Sequence, residues 1–171
     1  MCSYTAFAQD SSLFEKKELI VKGDTLPYRM LYPENFDTEK TYPLILFLHG
    51  AGERGNDNQK QLTHGSALFL DQNNRTKFPA IVIMPQCPKD DYWAQVNVDR
   101  SNYPVQLDFQ FKKGPTKAMD LVLQLLENYE KEDFVDKNKT YVMGLSMGGM
   151  GTYELLARQP DRFAAAIAIC G

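Results

Sequence analysis

Four short apolar runs punctuate the chain, at 44–48, 80–84, 140–143 and 164–169. Each has a strand's length and lacks strict apolar–polar alternation, the pattern of strands buried on both faces. Between them, apolar residues at 118, 122, 125 and 129, and at 119, 123 and 126, fall at helical spacing. Strand and helix therefore alternate, which predicts an α/β fold with a mainly parallel sheet and helices on both faces. At the front, 16–21 and 28–32 alternate around Lys22-Gly23-Asp24 and predict an antiparallel N-terminal hairpin. The pattern further predicts a short helix over 59–70 and an irregular stretch over 87–113. A helix opens at Gly114-Pro115 with Pro in first position, and another ends near Gln159, before Pro160.

Composition excludes several function classes. The 171 residues suit one domain with one core. With 19 Lys plus Arg against 22 Asp plus Glu, the net charge is −3, so no basic footprint marks a nucleic acid or anionic membrane partner. No apolar run approaches the roughly 18 residues of a membrane span. Cys2, Cys87 and Cys170 offer neither zinc spacing nor a disulfide framework, and read as two buried strand-end thiols plus one near the N-terminus. With only His49 and His64, a His-rich metal site is excluded too.

The chemistry concentrates in Gly144-Leu145-Ser146-Met147-Gly148-Gly149-Met150-Gly151, between the third apolar run and a helix. Gly144-x-Ser146-x-Gly148 has the form of a nucleophile elbow, a tight strand-to-helix turn that holds Ser146 out in strained backbone. Glycine costs a helix about 1 kcal/mol relative to alanine, so a start this rich in it implies close backbone approach. Ser146 then stands at a helix N-terminus, where free N–H groups favour negative charge. The N–H of Met147 becomes one oxyanion donor. His49-Gly50-Ala51-Gly52-Glu53-Arg54-Gly55 follows the first apolar run directly, at the strand end where parallel α/β sheets place their sites. Its Ala51 N–H, with Gly52 as second choice, can supply the other donor that acyl transfer requires.

Three segments in this order resemble a known superfamily: Leu-His-Gly-Ala-Gly-Glu-Arg-Gly-Asn (48–56), Met-Pro-Gln-Cys-Pro (84–88) before Trp93, and Gly-Leu-Ser-Met-Gly-Gly-Met-Gly-Thr-Tyr (144–153). They are similar to secreted bacterial α/β-hydrolases, above all phospholipase/carboxylesterase and dienelactone-hydrolase-like esterases, a group overlapping feruloyl and acetyl-xylan esterases. Prolyl-oligopeptidase-type peptidases carry similar segments. The resemblance runs over residues 16–171. It implies the α/β-hydrolase fold with an eight-stranded sheet, a Ser–His–Asp triad, ester hydrolysis through an acyl-enzyme, and no metal or cofactor. The implied substrate is a small-molecule or carbohydrate-linked ester.

One departure stands out. In this fold the triad runs Ser, then Asp or Glu, then His, yet no His follows Ser146. Glu154 and Asp161 belong to the outgoing helix or its end and point away. His49 is expected to brace the oxyanion loop, with Gly50, Gly144 and Gly148 as further motif support, and His64 reaches Ser146 only by unusual folding. The final run, at 164–169, would also be an apolar edge strand, which native proteins avoid. The expectation is an incomplete domain whose Asp and His lie beyond residue 171, on the order of 55–80 further residues, and little activity without them. The rival readings are a prolyl-oligopeptidase-like peptidase and a non-catalytic binding module or inactive fragment.

Weaker signals complete the reading. Trp93 either lines the substrate pocket or packs under a loop. Glu53, Arg54, Asn56 and Asp57 are expected to order their loop. Ala6-Phe7-Ala8 has the small-x-small form of a signal-peptidase site but lacks a basic, apolar lead-in. Residues 1–15 are therefore read as a tail holding the remnant of a secretory or periplasmic signal, with coincidence and a cytoplasmic protein as the alternative, and 16–171 as the domain.

Overall fold

The computed structural model describes residues 11–99 and 101–171. The Ala6–Ala8 signal reading and Cys2 lie outside them. Strands β1 (Glu15–Val21) and β2 (Asp24–Leu31) form the expected hairpin, paired from Glu15↔Met30 to Val21↔Asp24. Then follow β3 (Tyr42–Leu48), helices α1 (Ser66–Leu70) and α2 (Gln72–Lys77), and β4 (Ile81–Pro85). A small hairpin, β5 (Val96–Asp99) with β6 (Gln106–Phe109), precedes α3 (Lys117–Tyr129). The chain continues through β7 (Val135–Leu145), α4 (Met147–Arg158) and β8 (Ala165–Ile169). Among the described residues the main sheet runs β1-β2-β4-β3-β7-β8, with β4, β3, β7 and β8 parallel. This is the mixed, mostly parallel α/β sheet that the apolar runs predicted.

The pleat divides the core. Leu44, Leu46 and Leu48 of β3 face α3 and α4, meeting a cluster that includes Met119, Val122, Leu125 and Leu155. Phe47, Val82 and Leu31 face the other way, toward Phe14, Leu62 and Phe69. At 25 cal/mol per Å², each such side chain contributes about 2 kcal/mol of burial. On this second face a cavity of about 420 Å³ opens between β3, β7, β8 and α1–α2, lined by Ile45, Met143, Ile167, Phe69 and Arg75 among others.

Five sequence expectations need correction. The helix over 59–70 is a 3₁₀ turn at Lys60–Leu62 and then α1, because Gly65 turns left-handed (φ 86°) against the Phe47 ring. The stretch over 87–113 contains the β5–β6 hairpin. Pro115 lies outside α3, whose N-cap is Thr116: its Oγ1 accepts from Met119 N–H (3.2 Å), while Asp91 Oδ2 accepts from Ala118 N–H (2.8 Å). Two side-chain acceptors on the first-turn donors outweigh the preference for Pro at that turn. The last strand is not buried on both faces. Among the described residues it is the edge of the sheet, as the sequence reading also expected, so alternate residues are exposed and Ile167 is 51% accessible. Cys170, just past it, is exposed, whereas Cys87 is buried.

Candidate active site

Ser146 stands between β7 and α4 with φ 54° and ψ −115°, a sparsely populated conformation that costs about 1–3 kcal/mol. Two contacts hold it there: Ser146 N–H donates to Ile169 O (2.7 Å), and Ser146 O accepts from Met150 N–H (3.1 Å). The strain is supported by side chains that are missing. A Cβ on Gly144 would overlap the Gly148 carbonyl, and one on Gly148 would overlap the Leu48 carbonyl and come within 2.9 Å of His49 O. Thr152 Oγ1 closes the turn by donating to Gly148 O (3.0 Å). Ser146 is exposed, and Met147 is the first residue of α4, so the helix offers its N–H no carbonyl.

The loop after β3 packs directly on this turn. The Cβ position at Gly50 lies 3.6 Å from Leu145 O and 3.8 Å from Ser146 Cβ, ordinary contact distances that set the loop against the turn. Ala51–Glu53 then coils as one 3₁₀ turn. Elbow and loop therefore come together as the sequence implied, with Ala51 and Gly52 next along the chain from the residue that touches the elbow.

His49 braces this loop and has no nitrogen left for catalysis. Its Nε2 accepts from Cys87 N–H (3.0 Å), which places the proton on Nδ1, where it donates to Gly50 O (2.6 Å). The ring is 1% exposed, and burial lowers its pKa despite the Gly50 carbonyl. Trp93 corrects the pocket reading. It has no exposed surface, donates Nε1–H to His49 O (3.1 Å) and packs edge-on to the imidazole, so its role is the packing one.

In the wider loop Arg54 and Asp57 form the expected ordering network, whereas the side chains of Glu53 and Asn56 take no hydrogen bond in it. Arg54 Nε donates to Ala51 O (3.1 Å), its other arm reaches Lys89 O (2.9 Å) and Asp91 O (3.2 Å), and the guanidinium lies over Tyr92. Asp57 Oδ1 accepts from the N–H groups of Lys60 and Gln59 (2.9 and 2.8 Å), bonds that hold the carboxyl well below the usual range. Gln86, a residue the motif reading passed over, is fully buried at the centre of this network. It accepts from Asn58 N–H (2.7 Å) and donates to Glu53 O (3.1 Å) and Asp57 Oδ1 (3.0 Å). Its position inside Met-Pro-Gln-Cys-Pro was the one signal for it. Burial likewise pushes the Cys87 thiol well up, leaving it inert.

Among the described residues no side-chain hydrogen bond joins Ser146 to an acid or a base. Glu154 is buried on α4 against Arg158 (2.8 Å to Nε). His64 is exposed, with its Nε2 3.7 Å from Glu53 Oε1. Among the described residues no group of three or more His, Cys, Asp and Glu could hold a metal ion. No helix there is long and apolar enough to cross a membrane.

Comparison with known proteins places this geometry. A family model described as "Putative esterase" matches residues 23–171, and the chain belongs to that esterase family. It is similar to a thermostable esterase of known structure at 35% identity and a TM-score of 0.80, covering 94% of this chain and 41% of that one. A ferulic acid esterase from the anaerobic fungus Anaeromyces mucronatus (17% identity, TM-score 0.58) matches over 89% of this chain and 56% of that one. An S-formylglutathione hydrolase from Staphylococcus aureus (19% identity, TM-score 0.62) matches over 91% and 57%. The chain thus spans about half the length of these relatives. A search of the curated proteins found no match.

Proposed function

We propose that this chain carries the nucleophile and oxyanion donors of a serine esterase. The carrying observation is the strained, exposed Ser146 at the start of α4 with Gly50 against it. Ser146 Oγ attacks the ester carbonyl. The oxygen that becomes negative accepts from Met147 N–H and from Ala51 N–H or, second, Gly52 N–H. Each such donor supplies about 3 kcal/mol in the transition state. The alcohol leaves, and water then releases the acyl group from Ser146. The His and Asp that relay the proton come from the part of the esterase fold that this chain does not span. A small or carbohydrate-linked carboxylic ester is the proposed substrate, on the strength of the family resemblance, and an exported protein is the proposed setting. No metal or cofactor takes part in this scheme.

A fluorophosphonate probe tests it. The full-length, folded protein is expected to take one equivalent on Ser146, read by intact-mass and peptide mass spectrometry, and Ser146→Ala to take none. A folded, full-length protein that takes up no probe would overturn the esterase reading in favour of a ligand-binding module.

A further inference from the structure

One carboxylate in the loop after β3 stands outside the ordering network. Arg54, Asp57 and Gln86 spend their polar atoms on backbone and on each other, but Glu53 sends its side chain back over Gly50. Its backbone is fixed at both ends, the N–H by Gly50 O (3.3 Å) and the carbonyl by Gln86 Nε2 (3.1 Å). Glu53 Oε2 consequently lies 2.9 Å from the Cβ position at Gly50, the same point that is 3.8 Å from Ser146 Cβ. Glu53 Oε2 and Ser146 Cβ can be no farther apart than those two distances laid end to end. The Glu53 side chain is 13% exposed, and its one described partner, His64 Nε2, stands at 3.7 Å, too far for a hydrogen bond. An ionised carboxylate only accepts, and with no donor among the described residues in hydrogen-bond reach this one is open to a donor arriving from the solvent side.

We propose that Glu53 is a specificity-determining residue that accepts a hydrogen bond from a hydroxyl of the substrate's alcohol portion, on the carbon next to the esterified one. The acyl part of a simple carboxylic ester carries no donor close to its carbonyl, whereas a polyol does, two carbons from the ester oxygen. The favoured class is therefore the monoesters of vicinal diols and polyols. An anionic substituent at that place is disfavoured by like charge. This inference rests on Ser146 being the nucleophile.

The test compares 2-hydroxyethyl acetate with propyl acetate, which share an acyl group and differ by one hydroxyl for one methyl. The wild-type protein is expected to favour the hydroxyethyl ester by about tenfold in kcat/KM, the range for a hydrogen bond to a charged group. In Glu53→Leu the ratio is expected to fall to about one, and Glu53→Gln, which keeps an acceptor oxygen, to retain part of it. Protection of Ser146 from the fluorophosphonate by each ester reads the same preference without turnover. Labelling of Ser146 with no preference between the esters, or a preference that persists in Glu53→Leu, would overturn the role of Glu53 and leave the nucleophile standing. Absence of labelling would overturn the nucleophile, and this inference with it.

Discussion

The turn after β7 and the loop after β3 meet at Ser146, yet they are held by opposite means. The turn is shaped by absent side chains: Gly144 and Gly148 let the carbonyls of Gly148 and Leu48 occupy the space a Cβ would take. The loop is shaped by present ones, since His49, Arg54, Gln86 and Trp93 satisfy its backbone through the segment after β4. A glycine contact is all or nothing, because backbone has nowhere to move. A side-chain network shares its load, so losing one member costs less.

Substitutions can break or sharpen this contrast. The largest effect is expected from Gly148→Ala, whose methyl meets the Leu48 carbonyl. A loss of about 3 kcal/mol or more, or failure to fold, is expected by urea denaturation. His49→Leu comes next, leaving the buried Cys87 N–H without its acceptor. A loss of about 2 kcal/mol is expected. Arg54→Ala removes bonds at a partly exposed position and is expected to cost about 1 kcal/mol. Gly52→Ala should be smallest, within about 0.5 kcal/mol in stability, since a Cβ there meets nothing within 4 Å. Equal losses in Gly148→Ala and Gly52→Ala would end the distinction between the two kinds of support.

Acid should act on the loop first. Burial holds the His49 pKa below its ordinary 6.5, so below that pH the unfolded chain binds more protons than the folded one and stability falls. Asp57 has a depressed pKa of the opposite charge type, and its contribution is lost only as the pH drops below the usual 3.8. Melting temperatures between pH 7 and 5 should therefore decline in the wild type and decline less in His49→Leu.

The same contrast explains how much could be read from residues alone. The elbow was legible because glycine demand is written locally: Gly144, Ser146 and Gly148 announce strand, turn and helix start. The buried strands were legible too, from their unbroken apolar runs. The bracing of the oxyanion loop was not. Gln86 and the Cys87 N–H lie more than 25 residues from their partners in the loop, and no periodicity connects them. Trp93 stayed ambiguous because an aromatic in a long loop fits a pocket or a core equally well, and its bond to His49 O is a tertiary fact. The helix start at Thr116 rather than Pro115 depended on Asp91, which reaches Ala118 N–H across the chain. The 164–169 run reads as a buried strand by composition and as an edge strand by its place after the other runs, and the structure shows the edge.

The central claim is that these two loops form one oxyanion site around Ser146. The most direct measurement is a crystal structure of the protein after reaction with an alkyl phosphonate. The account predicts phosphorus on Ser146 Oγ, with one phosphonyl oxygen about 2.7–3.1 Å from Met147 N and from Ala51 N or Gly52 N. Phosphorus on another residue, or a phosphonyl oxygen turned to solvent and bonded to neither loop, would contradict it.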